Sequence, residues 1–187
     1  MHSSTLQKQK ERKISIPPAR LIEYFGRVNY ATSERVIERI KELMMDGTNE
    51  AMYLTVTSAG GPSGTAMGFY DTIRSILRPK LITIGSGDVD SSGAIIFLSA
   101  DTRYVTKNTT MLLHPAGRSF DEGVRYTAAE MEAMVHEDHI KDHQYAVIVS
   151  ERSNDNLTPE QVLILMQQHT VLTPHDLVEY GLATAIL

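Results

Sequence analysis

Apolar residues recur along the chain in two alternating rhythms, short runs of strand length and longer stretches at helical spacing. The run Leu21-Ile22-Glu23-Tyr24-Phe25-Gly26 predicts a first strand. Val36, Ile37, Ile40, Leu43 and Met44 follow at helical spacing, with Thr32 or Ser33 as the cap and Asp46-Gly47-Thr48-Asn49 as the stop. Ala51-Met52-Tyr53-Leu54-Thr55-Val56 has the character of a strand buried on both faces of a mainly parallel sheet, and it ends in the glycine-rich stretch 57–64. Met67, Phe69, Tyr70, Ile73, Ile76 and Leu77 mark a second helix, closed by Arg78-Pro79. Leu81-Ile82-Thr83-Ile84 is a third strand, and Ser91 opens a third helix through Ala94-Ile95-Ile96-Phe97-Leu98.

Beyond Asp101, residues 103–106 and 110–113 read as short extended runs, and residues 115–126 as a polar loop. A long helix is predicted from Thr127 to about Arg152, carrying Met131, Met134, Val135, Ile140, Tyr145, Val147 and Ile148. Thr158-Pro159-Glu160-Gln161 and Thr173-Pro174-His175-Asp176 each place a capping threonine before a proline, with an acceptor side chain at the third helical position. Gly181 ends the last helix and residues 182–187 close as a strand. Strand and helix alternate throughout, which predicts an α/β domain of repeated strand–helix units with right-handed crossovers.

At 187 residues the chain suits one core, so a single domain over 20–187 is expected behind a polar, basic head over 1–19 that should be mobile unless a partner orders it. The net charge of −5 gives no reason to expect nucleic acid or an anionic membrane as partner. Without cysteine, disulfides, thiol catalysis and thiolate metal sites are excluded. No apolar run approaches the roughly 18 residues of a membrane span, and the N-terminus has no signal-like apolar core, so a cytoplasmic protein is expected.

The candidate chemistry centres on Thr83-Ile84-Gly85-Ser86-Gly87-Asp88-Val89-Asp90-Ser91-Ser92-Gly93-Ala94, read as a strand running through small residues into a helix. Such a reversal leaves the corner residue, Ser91, with an exposed hydroxyl and the N–H of Ser92 close behind it, an arrangement suited to a nucleophile and an oxyanion donor. Glycine-containing turns at Gly60-Gly61, at 85–87 and at Gly117 are expected to gather at the carboxyl ends of the strands, where a double glycine can also present free N–H groups. His114, directly after Met111-Leu112-Leu113, is a strand-end histidine able to act as general base. His136, His139 and His143 share one face of the long helix, which allows a metal site, but such a set is more often an ordinary solvated polar face and no metal is assigned.

Several of these segments, in this order, resemble the proteolytic subunit of the Clp protease, ClpP, over about residues 20–187. Ser58-Ala59-Gly60-Gly61 is similar to the family's Ser-Pro-Gly-Gly, and Phe69-Tyr70-Asp71-Thr72-Ile73 to its Ile-Tyr-Asp-Thr-Met. Residues 87–94 correspond to Gly-x-Ala-Ala-Ser-Met-Gly-Ala, Met111-Leu112-Leu113-His114 to Met-Ile-His, and Glu179-Tyr180-Gly181-Leu182 to Glu-Tyr-Gly-Leu. The resemblance implies a ClpP/crotonase-like fold and a serine endopeptidase. It makes Ser91 the nucleophile, His114 the base, and the N–H groups of Gly61 and Ser92 the oxyanion hole. It further implies hydrolysis of unfolded polypeptide through an acyl-enzyme without cofactor, heptameric rings stacked in pairs as a tetradecamer, and a Clp-type ATPase unfoldase that feeds them. The long helix would make the ring-to-ring contact and the head would line the axial pore.

The chain departs from the family in the same regions. Counted without gaps, the family's catalytic aspartate falls on Leu165, which cannot orient an imidazole, so the third triad member is unknown; Gln168, His169, Asp90, Asp138 and Asp176 are the polar groups that could replace it. Val89-Asp90 stands for Ala-Ala, putting a carboxylate beside the nucleophile, and Arg118-Ser119-Phe120-Asp121-Glu122-Gly123 is unlike the family's substrate-holding segment. Two rival functions follow. One is a non-catalytic or weak subunit in a mixed ring with an active paralogue; the other, more remote, is a crotonase-type acyl-CoA enzyme using carboxylates in place of the serine.

Overall fold

The computed structural model describes residues 13–187, so most of the head expected to be mobile lies outside the described residues. A short 3-10 turn, Pro18–Arg20, leads into β1 (Leu21–Phe25). Helix α1 (Tyr30–Met44) is capped by Asn29, whose side chain accepts the Thr32 N–H, rather than by Thr32 or Ser33; those two lie inside the first turn, where Ser33 instead meets the buried Tyr24 hydroxyl at 2.9 Å. β2 (Met52–Ser58) leads to α2 (Ser63–Asp71), which runs on as a π-helical segment over Thr72–Leu77 and stops at Arg78 in the left-handed region (φ 49°).

β3 spans Leu81–Val89 and α3 Ser92–Phe97. Gly85, Ser86 and Gly87 are therefore strand residues and do not form the turn expected there. A register shift against β2 between Val56 and Ser58 absorbs the extra length, and the chain reverses only after Val89. β4 (Thr102–Val105), β5 (Met111–Leu112), α4 (Ala128–Arg152), α5 (Pro159–Gln167), β6 (Val171–Leu172), α6 (Pro174–Glu179) and β7 (Ala185–Ile186) complete the chain. Full capping boxes start the last three helices, at Thr127 with Glu130, Thr158 with Gln161 and Thr173 with Asp176.

Five parallel strands form the sheet in the order β1-β2-β3-β4-β7, the α/β arrangement that the alternation predicts. One face carries the core, in which Ile22, Tyr24, Leu54 and Val56 meet Val36 and Ile40 of α1, Phe69 of α2 and the wholly buried α3. Along β2 burial alternates, with Tyr53, Thr55 and Thr57 only half-buried, so this strand is not covered on both faces. Two of its threonines occupy the second face and donate to carbonyls of neighbouring strands, Thr55 to Ile22 and Thr57 to Ser86.

The two-residue strand β6 has no counterpart in the hydrophobic pattern. It pairs antiparallel with β5, Met111 opposite Leu172 and Leu112 opposite Val171. β5 also follows the far end of β3, through Val89 N–H to the Thr110 carbonyl and Thr110 N–H to the Gly87 carbonyl. β3 thus pairs with β4 along its first half and with the β5 segment along its second.

Arg103 on β4 gathers the ends of several elements. Only 3% exposed, its guanidinium donates to the carbonyls of Ala100, Asp101, Arg152, Gly181 and Leu182 at 2.6–3.3 Å, joining the exits of α3, α4 and α6. Helix C-termini leave carbonyls without partners and carry partial negative charge, so a cation with a planar fork of donors suits the junction. Burial, and then the neighbouring Arg152 charge, lowers its pKa to about 10, which still leaves it charged at neutral pH. Arg103→Met keeps much of the volume but strands these carbonyls, and a stability loss of about 3 kcal/mol is expected as a lower urea midpoint.

Candidate active site

Ser91 sits where β3 reverses into α3, with φ 52° and ψ −127°, a conformation that a serine holds only under constraint. The constraint is visible on both sides. Asp90 N–H donates to the Ser58 carbonyl at 2.8 Å, and Ser91 N–H to the Leu112 carbonyl at 2.8 Å. The Ser91 carbonyl accepts the Ala94 N–H at 3.0 Å and the hydroxyl of the buried Tyr145, from α4, also at 3.0 Å. Burial, reinforced by the Asp90 charge, pushes the Tyr145 phenol well above its ordinary pKa, so it stays a protonated donor.

Two glycines let the backbone approach this corner. A Cβ on Gly60, whose φ is +90°, would lie 2.7 Å from the Ser91 Cβ, and one on Gly61 would collide with the Val28 carbonyl oxygen. The Gly61 carbonyl in turn accepts the Ser92 hydroxyl at 2.7 Å, so Gly61 and Ser92 are fixed to one another beside Ser91. Ser92 is the first residue of α3, where backbone N–H groups have no partner within the helix.

Ser91, Ser92, Gly61 and His114 line one cleft of about 620 Å³, which the structure thus brings together as the sequence suggests. Among the described residues no hydrogen bond joins the Ser91 hydroxyl to His114. His114 follows β5, and the preceding Leu113 N–H donates to the Thr170 carbonyl at 2.9 Å, tying the histidine to the segment after α5. Its Nδ1 lies 2.7 Å from the carbonyl oxygen of Pro115. With the proton on Nδ1 that carbonyl accepts it, and Nε2 is then the unprotonated ring nitrogen.

Leu165 is half-buried against the hydrophobic core from α5. The ring that neighbours His114 is His169, nearly parallel at 10° with centroids 6.0 Å apart, carried on an exposed residue with φ 50°. That left-handed step follows α5 and brings Thr170 to the strand segment, where its carbonyl takes the Leu113 N–H; His169 is thus the one of the five candidate polar groups whose ring stacks on His114.

The far wall of the cleft belongs to α4. Ala116 N–H donates to Asp142 at 2.7 Å, and Arg118 binds both oxygens of Asp138 at 3.0 and 2.8 Å and Glu137 at 2.8 Å. These carboxylates raise the arginine's pKa above its ordinary value. The segment after His114 is therefore pinned along the helix. His136 and His139 edge a shallow apolar groove with Met131 and Val135 while His143 faces a different cavity beside α2, so the three helix histidines do not converge. Among the described residues no helix is long and apolar enough to cross a membrane.

Gly60→Ala forces both an unfavourable φ and a contact with the Ser91 side chain. A loss of about 1–3 kcal/mol is expected in thermal unfolding, against little change for Gly64→Ala, where a Cβ meets open space.

The chain is 30% identical over 165 residues to the ATP-dependent Clp protease proteolytic subunit 2 of Pseudomonas aeruginosa, covering 87% of this chain and 78% of that one. It is 26% identical over 181 residues to the ATP-dependent Clp protease proteolytic subunit 3 of Rhizobium etli, covering 95% of this chain and 89% of its relative. The sequence model of the family described as Clp protease matches residues 8–187, and on that match the chain belongs to the Clp protease family as a divergent member.

Proposed function

We propose that this chain is a serine endopeptidase, the proteolytic subunit of an ATP-dependent Clp-like protease. The observation that carries the reading is the strained corner at Ser91, which shares its cleft with His114, Gly61 and Ser92. In this reading the Ser91 hydroxyl oxygen attacks a substrate peptide carbonyl while His114 Nε2 takes its proton. The negative oxygen of the tetrahedral intermediate is held by the N–H groups of Gly61 and Ser92. The imidazolium then returns the proton to the leaving amine, the peptide bond breaks, and an acyl-enzyme remains. A water activated by the same imidazole hydrolyses it and restores the serine.

The Pro115 carbonyl supports the first step by fixing the tautomer of His114, as an acid would, but being neutral it offsets less of the imidazolium charge. His169 lies beside the ring, nearly parallel at 6.0 Å between centroids, and supplies no carboxylate. Slow turnover is the expected consequence. The substrate is unfolded polypeptide, and the names of the relatives, which specify ATP dependence and a proteolytic subunit, support assembly into rings served by a Clp-type ATPase.

A fluorophosphonate applied to the assembled full-length protein tests the reading. Covalent mass gain on the peptide bearing Ser91 is expected, none in Ser91→Ala, a rate lowered by about 10³-fold or more in His114→Ala, and a smaller loss in His169→Ala. A folded, assembled chain that takes up no label would instead make it a non-catalytic subunit.

A further inference from the structure

We infer that Asp90 is a positioning residue that keeps the strand bearing His114 in register with Ser91. The inference rests on the roles proposed above for those two residues and deepens that reading.

The argument begins with the carbonyls at the corner. Leu112 faces the end of β3 with both backbone groups, its carbonyl taking the Ser91 N–H at 2.8 Å. Its own N–H needs an acceptor from the same direction, and in an uninterrupted ladder the next backbone carbonyl of β3 would supply one. Here the chain turns away. The Gly87 carbonyl takes the Thr110 N–H, so the next acceptor in line would be the Val89 carbonyl, yet among the described residues the backbone bridging of these strands is confined to Asp88 and Thr110. The Asp90 side chain fills the gap: its Oδ1 accepts the Leu112 N–H at 2.8 Å. A carboxyl oxygen thereby fills the rung between the backbone bonds of Val89 N–H to Thr110 and Ser91 N–H to Leu112, and His114 lies two residues beyond that tie.

The bond does not require a full negative charge. Asp90 is half-buried, and desolvation raises its pKa; the Leu112 hydrogen bond opposes this, the nearby Asp88 charge adds to it, and His114 opposes it. Tyr145 of α4 faces the same carboxyl as a neutral phenol. An uncharged group with the same acceptor therefore fits the position, whereas a side chain lacking one leaves the Leu112 N–H unmet.

Fluorophosphonate labelling of full-length Asp90→Ala and Asp90→Asn, beside the unaltered protein, separates the possibilities. D90A is expected to label at least about tenfold more slowly and D90N within about threefold of the parent rate, because asparagine restores the acceptor. Deuterium uptake by the peptide covering residues 110–113 should rise in D90A and stay unchanged in D90N. Labelling of D90A at the parent rate, or of D90N as slowly as D90A, overturns the inference. Should D90A fail to fold, a loss of tenfold or more in D90N alone overturns it, and a rate within threefold supports it. If the parent protein takes no label, the peptidase reading falls, and the uptake comparison alone decides whether Asp90 holds the strand.

Discussion

The site depends on a chain reversal that the backbone resists. Between β3 and α3 a serine is held at φ 52°, and a non-glycine residue stays in such a conformation only where its surroundings over-determine it. They do so from four sides: Ser58 on the neighbouring strand, Leu112 on β5, Tyr145 on the long helix, and the close-packed Gly60 behind. Each comes from a different part of the chain, so the strain is distributed over the whole fold. The side chain at the corner is fixed as firmly as the core beneath it.

Electrostatically the cleft is divided. Close to Ser91 the groups are neutral or held toward neutrality: the Tyr145 phenol, the Asp90 carboxyl raised by burial, and the Pro115 carbonyl beside the imidazole. Full charges lie along α4, where Arg118 spans Glu137 and Asp138. A site of this kind orients its histidine through dipoles, and membership of the Clp protease family therefore coexists here with an unusual supporting shell.

Much of this was legible from residues alone, where the signal was local. The threonine–proline starts of α5 and α6 are visible because a capping box is written within four residues. Ser91 is visible as a corner because small residues carry a strand directly into a helix there. What escaped was decided across the chain. The glycines at 85 and 87 look like a turn, yet they stay within β3, Gly87 at φ 68°, because Thr109 and Thr110 arrive to bond with them. β6 is two residues long, and only its partner makes it a strand. His169 was one of five polar groups open as neighbours of His114, and the left-handed residue at the end of α5 that brings its ring there is not legible in the spacing. Asp90 was noticed as a carboxylate beside the serine, but its bond to Leu112 could not be read from either residue.

The pairing of β5 with β6 joins positions 111–112 to 171–172, and Arg103 ties the middle of the chain to carbonyls at 181 and 182. Contacts so distant in sequence close only after nearly the whole polypeptide has emerged from the ribosome. A truncated or still-nascent chain thus lacks the framework that holds His114 in the same cleft as Ser91.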